Sequence, residues 1–243
     1  MRDAEDRTAI VTGAAGGVGR AVVRLLRESG VRVVAEDVDP DVRELADADD
    51  GVAALVADVR APQTARDAVA LALERFGGLH VLVNNAGVFL GKPIDQTTDE
   101  DWDLLMEVNV KSVFRHCREA LGHMLEQGSG AIVNTASISG LIGLPDQVAY
   151  CATKGAIVQI TRQLAVECSG RGVRVNAVAP GAIRGHFIPG ATDELWDAIG
   201  PSHPLGRCAT NDEIAQVIAF LASPAASFVS GAIVAADGAY TAQ

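Results

Sequence analysis

Aromatic side chains are scarce in this chain, making up 4% of its 243 residues. Hydrophobic residues nevertheless reach 49%, so the core must be built mainly from alanine, valine, leucine and isoleucine. Charged residues account for only 21%. That combination excludes the low-hydrophobicity, high-charge composition of a disordered chain.

Positive charge is also in short supply, with 20 Lys and Arg against 31 Asp and Glu and a net charge of −11. A basic groove for a nucleic-acid backbone is therefore not expected. The highly charged segment Met1–Arg7 does not resemble a secretory leader, and we expect a cytoplasmic protein. The four cysteines form no Cys-x-x-Cys pair and the five histidines show no ligand spacing, so no metal is expected.

One uncharged stretch, Ile214–Ala236, is long enough to span a bilayer. Serine, proline and glycine interrupt it at Ser223-Pro224 and Ser230-Gly231. A helix that ends near Pro224 and a strand from Gly231 explain it better than a membrane segment.

Short apolar runs alternate with longer amphipathic segments along the chain. The runs predict buried strands at Thr8–Thr12, Val31–Glu36, Gly51–Ala57, Leu79–Asn84, Ala131–Ala136, Val173–Val178 and Ile233–Ala235. The longer segments predict helices at Val18–Ser29, Pro62–Phe76, Thr98–Glu126, Ala149–Ser169 and Asn211–Ala222. This alternation predicts one doubly wound α/β domain over residues 1–243, a seven-stranded parallel sheet with helices on both faces.

A glycine-rich turn follows the first predicted strand and opens a helix. Gly13, Gly17 and Gly19 allow close backbone approach to a pyrophosphate, and the helix start offers free N–H groups. We predict that Gly16 and Val18 of the same segment also contact it, although a plain tight turn explains such a segment about as well.

An acidic residue, Asp37, closes the second predicted strand. A carboxylate there accepts hydrogen bonds from adenosine ribose hydroxyls and repels a 2′-phosphate, which favours NAD over NADP. The alternative is that Asp37 opens a turn toward Asp39-Pro40.

Tyr150 and Lys154 stand four residues apart near the start of a predicted helix, so they share one face of it. We expect the nearby ammonium to lower the pKa of the tyrosine hydroxyl and suit it to proton exchange. The alternative is a cation resting against a ring edge.

With these motifs in place, the whole stretch from Thr8 to Gly238 resembles the main NAD-binding branch of the short-chain dehydrogenase/reductase family. Five motifs carry the resemblance: the glycine loop, Asn84-Asn85-Ala86-Gly87, Asn109, Ser137 with Tyr150 and Lys154, and Pro180-Gly181. It implies a Rossmann domain with a cofactor half over roughly 1–130 and a catalytic and substrate half over 131–243.

The resemblance also implies roles. Tyr150 would be the general acid/base, Ser137 would orient the substrate oxygen, and Lys154 would tune Tyr150 and hold the nicotinamide ribose. Asn109 would support a water that relays protons from Lys154; a packing asparagine is the alternative. The implied cofactor contacts are Asp58, Val59, Asn85, Ala86, Gly87, Tyr150, Lys154, Pro180, Gly181 and Ile183.

Two positions depart from the family pattern. Gly185 stands where a threonine usually bonds the nicotinamide carboxamide, leaving backbone groups, Thr192 or His186 as substitutes. Asp237-Gly238-Ala239 replaces the more usual Asp-Gly-Gly.

Three loops at the strand ends are mainly apolar and are expected to wall a substrate pocket: Val88–Asp95, Ile138–Val148 and Ala182–Gly206. Candidate substrate contacts are Phe89, Ser139, Leu144 and Phe187. We predict NAD(H)-dependent interconversion of a hydrophobic or cyclic secondary alcohol and its ketone. The alternatives are an NADPH-dependent 3-oxoacyl-acyl-carrier-protein ketoreductase and a dinucleotide-sensing regulator without turnover. The family implies a homotetramer, or a homodimer.

Overall fold

Seven parallel strands form the sheet of the structure, a computed structural model that describes residues 7–243. Residues 1–6, which include most of the charged segment considered above, lie outside the described residues. The strands are β1 (Thr8–Thr12), β2 (Arg32–Asp37), β3 (Val52–Val56), β4 (Val81–Asn84), β5 (Gly130–Thr135), β6 (Val173–Pro180) and β7 (Ile233–Ala236). Their order across the sheet is β3-β2-β1-β4-β5-β6-β7.

Eight α-helices accompany the strands in the described part of the chain. They are α1 (Gly17–Glu28), α2 (Arg43–Ala48), α3 (Thr64–Phe76), α4 (Asp99–Met106), α5 (Ser112–Gln127), α6 (Val148–Cys168), α7 (Asp193–Ile199) and α8 (Asn211–Ala222). The apolar residues of α1 and α8 pack on one face of the sheet, and those of α3, α5 and α6 pack on the other. The predicted doubly wound fold is therefore confirmed.

The order of the strands reverses at β1, which pairs with β2 on one side and with β4 on the other. In open parallel sheets, ligands bind in the crevice outside the carboxyl ends of the strands at such a reversal. The segments after β1 and β4 are the glycine turn and the Asn85–Gly87 segment, so the fold brings the two predicted cofactor motifs together.

The helix predicted over Thr98–Glu126 has an internal interruption. A π-helical turn over Glu107–Lys111 separates α4 from α5, and it carries Asn109. Single π turns are invisible to hydrophobic periodicity, and they occur frequently at functional sites.

The short helices α2 and α7 were also not predicted, because both are brief and largely exposed. The uncharged stretch from Ile214 divides as expected, with α8 ending at Ala222 and β7 beginning at Ile233. Within residues 7–243, no helix has the length and apolarity needed to cross a membrane.

The departure at Ala239 has a conformational consequence. Its backbone lies in the left-handed region, with φ at 70°, directly after Gly238 at 59°. Asp237 fixes this turn by accepting hydrogen bonds from the backbone N–H groups of Ala239 and Thr241. An alanine in this region costs about 1–2 kcal/mol, which a glycine avoids.

We expect Ala239→Gly to stabilise the protein by about 0.5–1 kcal/mol, since the relief of strain exceeds the added entropy of the unfolded chain. Thermal denaturation should show a rise of about 2 °C. Ala242→Gly is the matched control, because this exposed alanine closes the same turn without a positive φ, and it should lower the midpoint. Equal shifts in the two variants would contradict the prediction.

Candidate active site

A cavity of about 900 Å³ lies at the carboxyl ends of the strands. Most residues predicted for the site line it. They are Gly13, Gly16, Gly17, Val18, Asp37, Asp58, Val59, Asn85, Ala86, Gly87, Phe89, Ser137, Ser139, Leu144, Tyr150, Lys154, Pro180, Gly181, Ile183 and Phe187. Gly19 and Asn109 lie behind this surface, and both are buried.

The glycine turn is shaped for close packing against the β4 loop. Gly13 adopts a φ of 67°, and a Cβ there would lie 2.9 Å from the Cα of Ala86. A Cβ on Gly19 would meet the carbonyl oxygen of Gly13 at 2.0 Å. The turn therefore tolerates no side chain at either position, and α1 starts beside the cavity with no acidic residue in its first turn. This is a cradle that fits a phosphate group.

The Asp37 carboxylate is held at the rim by backbone donors. It accepts a hydrogen bond from the N–H of Ala15 at 2.9 Å and another from Asp39 at 3.0 Å. The nearby cation Arg20 is engaged elsewhere, donating to the Ala15 carbonyl and pairing with Glu44 at 3.3 Å. The Asp37 carboxylate is therefore oriented to accept hydrogen bonds from hydroxyl groups, and it places a negative charge at the rim.

The Asp58 carboxylate is occupied by Arg60. The guanidinium contacts it at 2.6 Å, and the Arg60 backbone N–H donates to it at 2.8 Å. The hydrogen bond from the Arg60 side chain holds the pKa of Asp58 below its usual range. Asp58 thus shapes a turn as well as lining the cavity.

Tyr150 and Lys154 lie on one face of α6 at the other end of the cavity, as the spacing predicted. Both are buried, and the Lys154 Nζ lies 5.6 Å from the centre of the Tyr150 ring. The ammonium donates to the Thr135 carbonyl at 2.8 Å, which anchors it to the end of β5.

The expected lowering of the Tyr150 pKa is not what the structure gives. Burial raises the pKa of Tyr150 above its usual range, and a hydrogen bond with Ser137 only partly offsets this. Burial also lowers the pKa of Lys154 to about 8. The prediction was wrong because it counted the attraction of the ammonium and left out the cost of charging a buried phenol.

Ser137 is the first member of a short hydrogen-bonded chain. Its hydroxyl accepts from the Ser139 backbone N–H at 3.2 Å and donates to the Ser139 hydroxyl at 3.3 Å. Ser139 in turn donates to the side-chain oxygen of Gln147 at 2.8 Å. Ser139, predicted as a substrate contact, therefore also orients Ser137, and Gln147 joins the site as a residue the sequence did not indicate.

Asn109 is fully committed to hydrogen bonds with its surroundings. Its side-chain oxygen accepts from the Val88 N–H at 2.8 Å, and its amide donates to the Val88 carbonyl at 2.9 Å. The same amide lies 3.3 Å from the Thr153 hydroxyl. The side chain thereby fixes the segment after Gly87 against α6, beside Lys154.

Aromatic rings close the end of the cavity at which Tyr150 lies. The Phe89 ring packs edge-on against Tyr150 with centroids 5.0 Å apart, and Phe187 lies 6.5 Å from both rings. Leu144 and Trp196 add further apolar surface. Of the lysines and arginines among the described residues, only Lys154 and Arg60 line the cavity, and Arg60 is paired with Asp58.

The substitutes considered for the missing threonine at Gly185 differ in position. Thr192 caps α7 by accepting from the Leu195 N–H and is not a lining residue, whereas His186 is exposed and lines the cavity. Asn211, at the start of α8, also lines the cavity. Nothing in the sequence singled it out, because a residue opening a helix carries no signal of what it faces.

Comparisons with known proteins match this chain to a reductase family model and to named dehydrogenases. A family model described as enoyl-(acyl carrier protein) reductase matches residues 13–241. Cis-4-hydroxycyclohexanecarboxylate dehydrogenase of Sinomonas cyclohexanicum is 43% identical, with 98% of this chain and 97% of the relative covered. D-threitol dehydrogenase of Mycolicibacterium smegmatis is 39% identical over 98% of this chain and 94% of the relative.

Solved structures also resemble this chain over nearly its whole length. The crystal structure of gox2181 superposes with a TM-score of 0.93 at 35% identity, covering 100% of both chains. A structure of ElxO with NADP bound has a TM-score of 0.89 at 28% identity, covering 98% of this chain and 99% of that one.

Proposed function

This chain belongs to the short-chain dehydrogenase/reductase family, and we propose that it is a single-domain NAD(H)-dependent oxidoreductase that interconverts a neutral, apolar or cyclic secondary alcohol and its ketone. Oxidoreduction of an alcohol is supported by the dehydrogenase relatives. The cofactor and the substrate class are inferred from the residues that line the cavity.

One observation carries the proposal. A single cavity begins at the Asp37 carboxylate, passes the glycine turn and ends at Tyr150, Lys154 and Ser137. An acceptor for ribose hydroxyls, a seat for phosphate and a group for proton transfer therefore lie along one path. Its volume of about 900 Å³ falls in the upper range for small-molecule sites.

The proposed mechanism divides the work between cofactor and protein. A bound nicotinamide supplies the hydride acceptor for alcohol oxidation and the hydride donor for ketone reduction. Ser137 and Tyr150 hold the substrate oxygen by hydrogen bonds. Because burial raises the pKa of Tyr150, its hydroxyl is protonated at neutral pH and donates that proton to the ketone oxygen during reduction.

Lys154 supports the reverse direction. In alcohol oxidation Tyr150 must accept the proton, and a charged Lys154 beside its ring favours the phenolate that does so. Asn109 keeps the Gly87–Val88 backbone in place next to Lys154 through its pair of hydrogen bonds with Val88. Phe89 and Phe187 exclude water from the reacting end.

The preference for NAD follows from charge. A 2′-phosphate on the adenosine ribose would face the fixed Asp37 carboxylate, and the nearby cations Arg20 and Arg60 are already paired with Glu44 and Asp58. NADP is bound in one of the structural neighbours, so the preference in this chain rests on Asp37 and its surroundings.

The neutral character of the substrate follows from the same inventory. The ammonium of Lys154 is hydrogen-bonded to Thr135, Lys92 pairs with Asp101 at 2.6 Å, and Arg184 pairs with Asp193 at 2.7 Å. No unpaired Lys or Arg in the described chain therefore lines the aromatic end, where a substrate carboxylate would need one. An alcohol with an apolar ring fits the Phe89, Phe187 and Leu144 surface better.

The two rival functions fare less well on these observations. An NADPH-dependent ketoreductase of the acyl-carrier-protein type is disfavoured by Asp37. A regulator that senses a dinucleotide without turnover has no need for Ser137, Tyr150 and Lys154 gathered at one end of the cavity.

Self-association is part of the proposal. Large apolar side chains stand exposed on α5, α6 and the segment around α8: Phe114, Val166, Phe220 and the fully exposed Phe228. Exposed apolar surface of this kind marks contact faces. We propose a homotetramer that covers them.

The experiment that tests the function is NADH formation from a panel of alcohols, with NADP run in parallel. Cyclohexanol and its neutral derivatives should turn over with NAD, and matched ring carboxylates should turn over at least tenfold more slowly. Asp37→Ala should narrow the preference for NAD over NADP by about tenfold or more, since it removes the repulsion of the 2′-phosphate.

Silence across the panel in protein that binds NADH would favour the regulator. An unchanged NAD preference in Asp37→Ala would remove Asp37 from the ribose site. Arg43→Ala, at the start of α2 with its side chain exposed, is the surface control and should leave the preference unchanged.

A further inference from the structure

The first residue of α8, Asn211, lies against the glycine turn. A Cβ built on Gly17 would stand 2.5 Å from the amide nitrogen of Asn211 and 2.8 Å from its side-chain oxygen. The amide therefore packs directly on the open face of Gly17, at the start of α1. Both helices consequently begin at the same wall of the cavity, which Gly17 and Asn211 line together.

Asn211 has no structural task that uses its amide. The start of α8 is capped by Thr210 and Glu213, whose side chains and backbone N–H groups bond each other reciprocally. The next residue, Asp212, pairs with Arg24 in the middle of α1 at 2.9 Å, which ties the start of α8 to that helix. The Asn211 side chain makes no hydrogen bond to any residue in 7–243, although it is half-buried.

Gly185 leaves space beside the Asn211 side chain. It lines the cavity next to Asn211, and a Cβ there would lie 3.8 Å from the Asn211 side-chain oxygen, an ordinary contact. Its backbone is not in the left-handed region, so the position does not require glycine. The wall at Gly185 thus has room for a side chain and contributes none, and the nearest polar side chain facing that space is Asn211.

The geometry points to Asn211 as a cofactor-binding residue that donates its amide N–H to the nicotinamide-side phosphate of the dinucleotide, in the space that Gly185 leaves open. The inference rests on the proposed function. The start of α1, which has no side-chain cap and no acidic residue in its first turn, carries a partial positive charge that favours an anion there. The unpartnered Asn211 amide supplies a further hydrogen-bond donor to that anion. It lies on the side that the backbone N–H groups of the glycine turn do not cover.

The neighbouring candidates are placed less well for this contact. Thr192 is engaged in capping α7. His186 is exposed, and it lies on the loop after β6 rather than on the helix that faces Gly17. Asn211 alone among these three touches the glycine turn.

The test measures binding of NADH, ADP-ribose and AMP by titration calorimetry, without substrate. Asn211→Ala should weaken NADH and ADP-ribose by about 10- to 100-fold, the loss of one hydrogen bond to a charged group. AMP, which lacks the second phosphate, should bind the variant and the wild type within about twofold of each other. Asn211→Asp, of equal size, should weaken NADH further, because it places a carboxylate against the phosphate.

A second-site variant separates the contact from a structural role. Asn211→Ala combined with Gly185→Thr should recover most of the NADH affinity, because the threonine hydroxyl enters the same space from the neighbouring position. Gln216→Ala, which removes an exposed amide one turn further along α8, is the matched control and should bind NADH normally.

The outcomes are distinct. Wild-type protein that binds NADH, with Asn211→Ala binding equally well, overturns this inference and leaves the proposed function standing. Equal weakening of AMP and ADP-ribose, with no recovery on adding Gly185→Thr, also overturns it, since it shows a general disturbance of α8. Wild-type protein that binds no dinucleotide overturns the proposed function itself.

Discussion

Tyr150→Phe is expected to lower kcat by about 10³-fold for both alcohol oxidation and ketone reduction, while leaving NADH affinity within about threefold of wild type. The substitution removes one hydroxyl and keeps the ring. Proton transfer by a positioned side chain contributes roughly 10²- to 10⁴-fold, and among the described residues Tyr150 is the group with a transferable proton packed against both Phe89 and Lys154.

Packing should survive the substitution. The Tyr150 ring contacts Phe89 at 5.0 Å and Phe187 at 6.5 Å between centroids, and phenylalanine preserves both contacts. Lys154 keeps its hydrogen bond to the Thr135 carbonyl, since that bond does not involve Tyr150. The loss should therefore appear in kcat, with thermal stability nearly unchanged.

Stopped-flow measurement of hydride transfer and NADH titration by fluorescence check this prediction together. Tyr240→Phe is the matched control and should retain turnover. It removes the hydroxyl of the other tyrosine of the chain, whose ring centroid lies 5.0 Å from that of His203. Turnover of Tyr150→Phe within tenfold of wild type would assign proton transfer to another group.

The fold and much of the site follow from local patterns in the sequence. Short runs rich in valine, isoleucine and alanine predict buried parallel strands, and each predicted strand lies within two residues of an observed one at either end. The glycine turn, Asp37 and the Tyr150–Lys154 pair are all read over a few residues. Parallel topology then places them at one edge of the sheet.

The features that escaped prediction depend on distant contacts. Asn109, in the π turn, makes its hydrogen bonds with Val88, on another segment. The contact of Asn211 with Gly17 joins residues far apart in the chain. The raised pKa of Tyr150 reflects burial by several loops at once. Local periodicity contains none of this information.

The buried pair of Glu36 and His116 was not predicted for the same reason, since the two residues lie far apart in the sequence. Less than 3% of either side chain is exposed. The His116 Nδ1 lies 2.9 Å from the Ser112 carbonyl, which only accepts, so Nδ1 carries a proton. The Nε2 lies 3.0 Å from the Glu36 carboxyl. A second proton must lie between these two groups, and the other Glu36 oxygen has no partner among the described residues.

His116→Phe should destabilise the protein by about 3–5 kcal/mol, because it leaves a carboxylate in the core without its partner. Urea denaturation should show a large fall in midpoint. The double variant Glu36→Leu/His116→Phe should recover most of the loss, since replacing both members of a buried pair by apolar groups is often nearly neutral. His123→Phe, a half-buried histidine further along α5, is the control and should cost less than about 1 kcal/mol.

The pair also gives this stability a pH dependence of definite sign. Burial opposes charge on His116, but the hydrogen bond and attraction of Glu36 prevail and raise its pKa above the usual value. A raised pKa in the folded state means that the contribution is complete below about pH 6.5, the ordinary value for histidine, and is lost as pH rises through the folded value. The gap in free energy of unfolding between wild type and the double variant should therefore shift in favour of the double variant as the solution becomes alkaline. A gap that is constant with pH would mean that no proton is lost from the pair in that range, and Glu36 and His116 would then act only as packed side chains beside the β2 strand that carries Asp37.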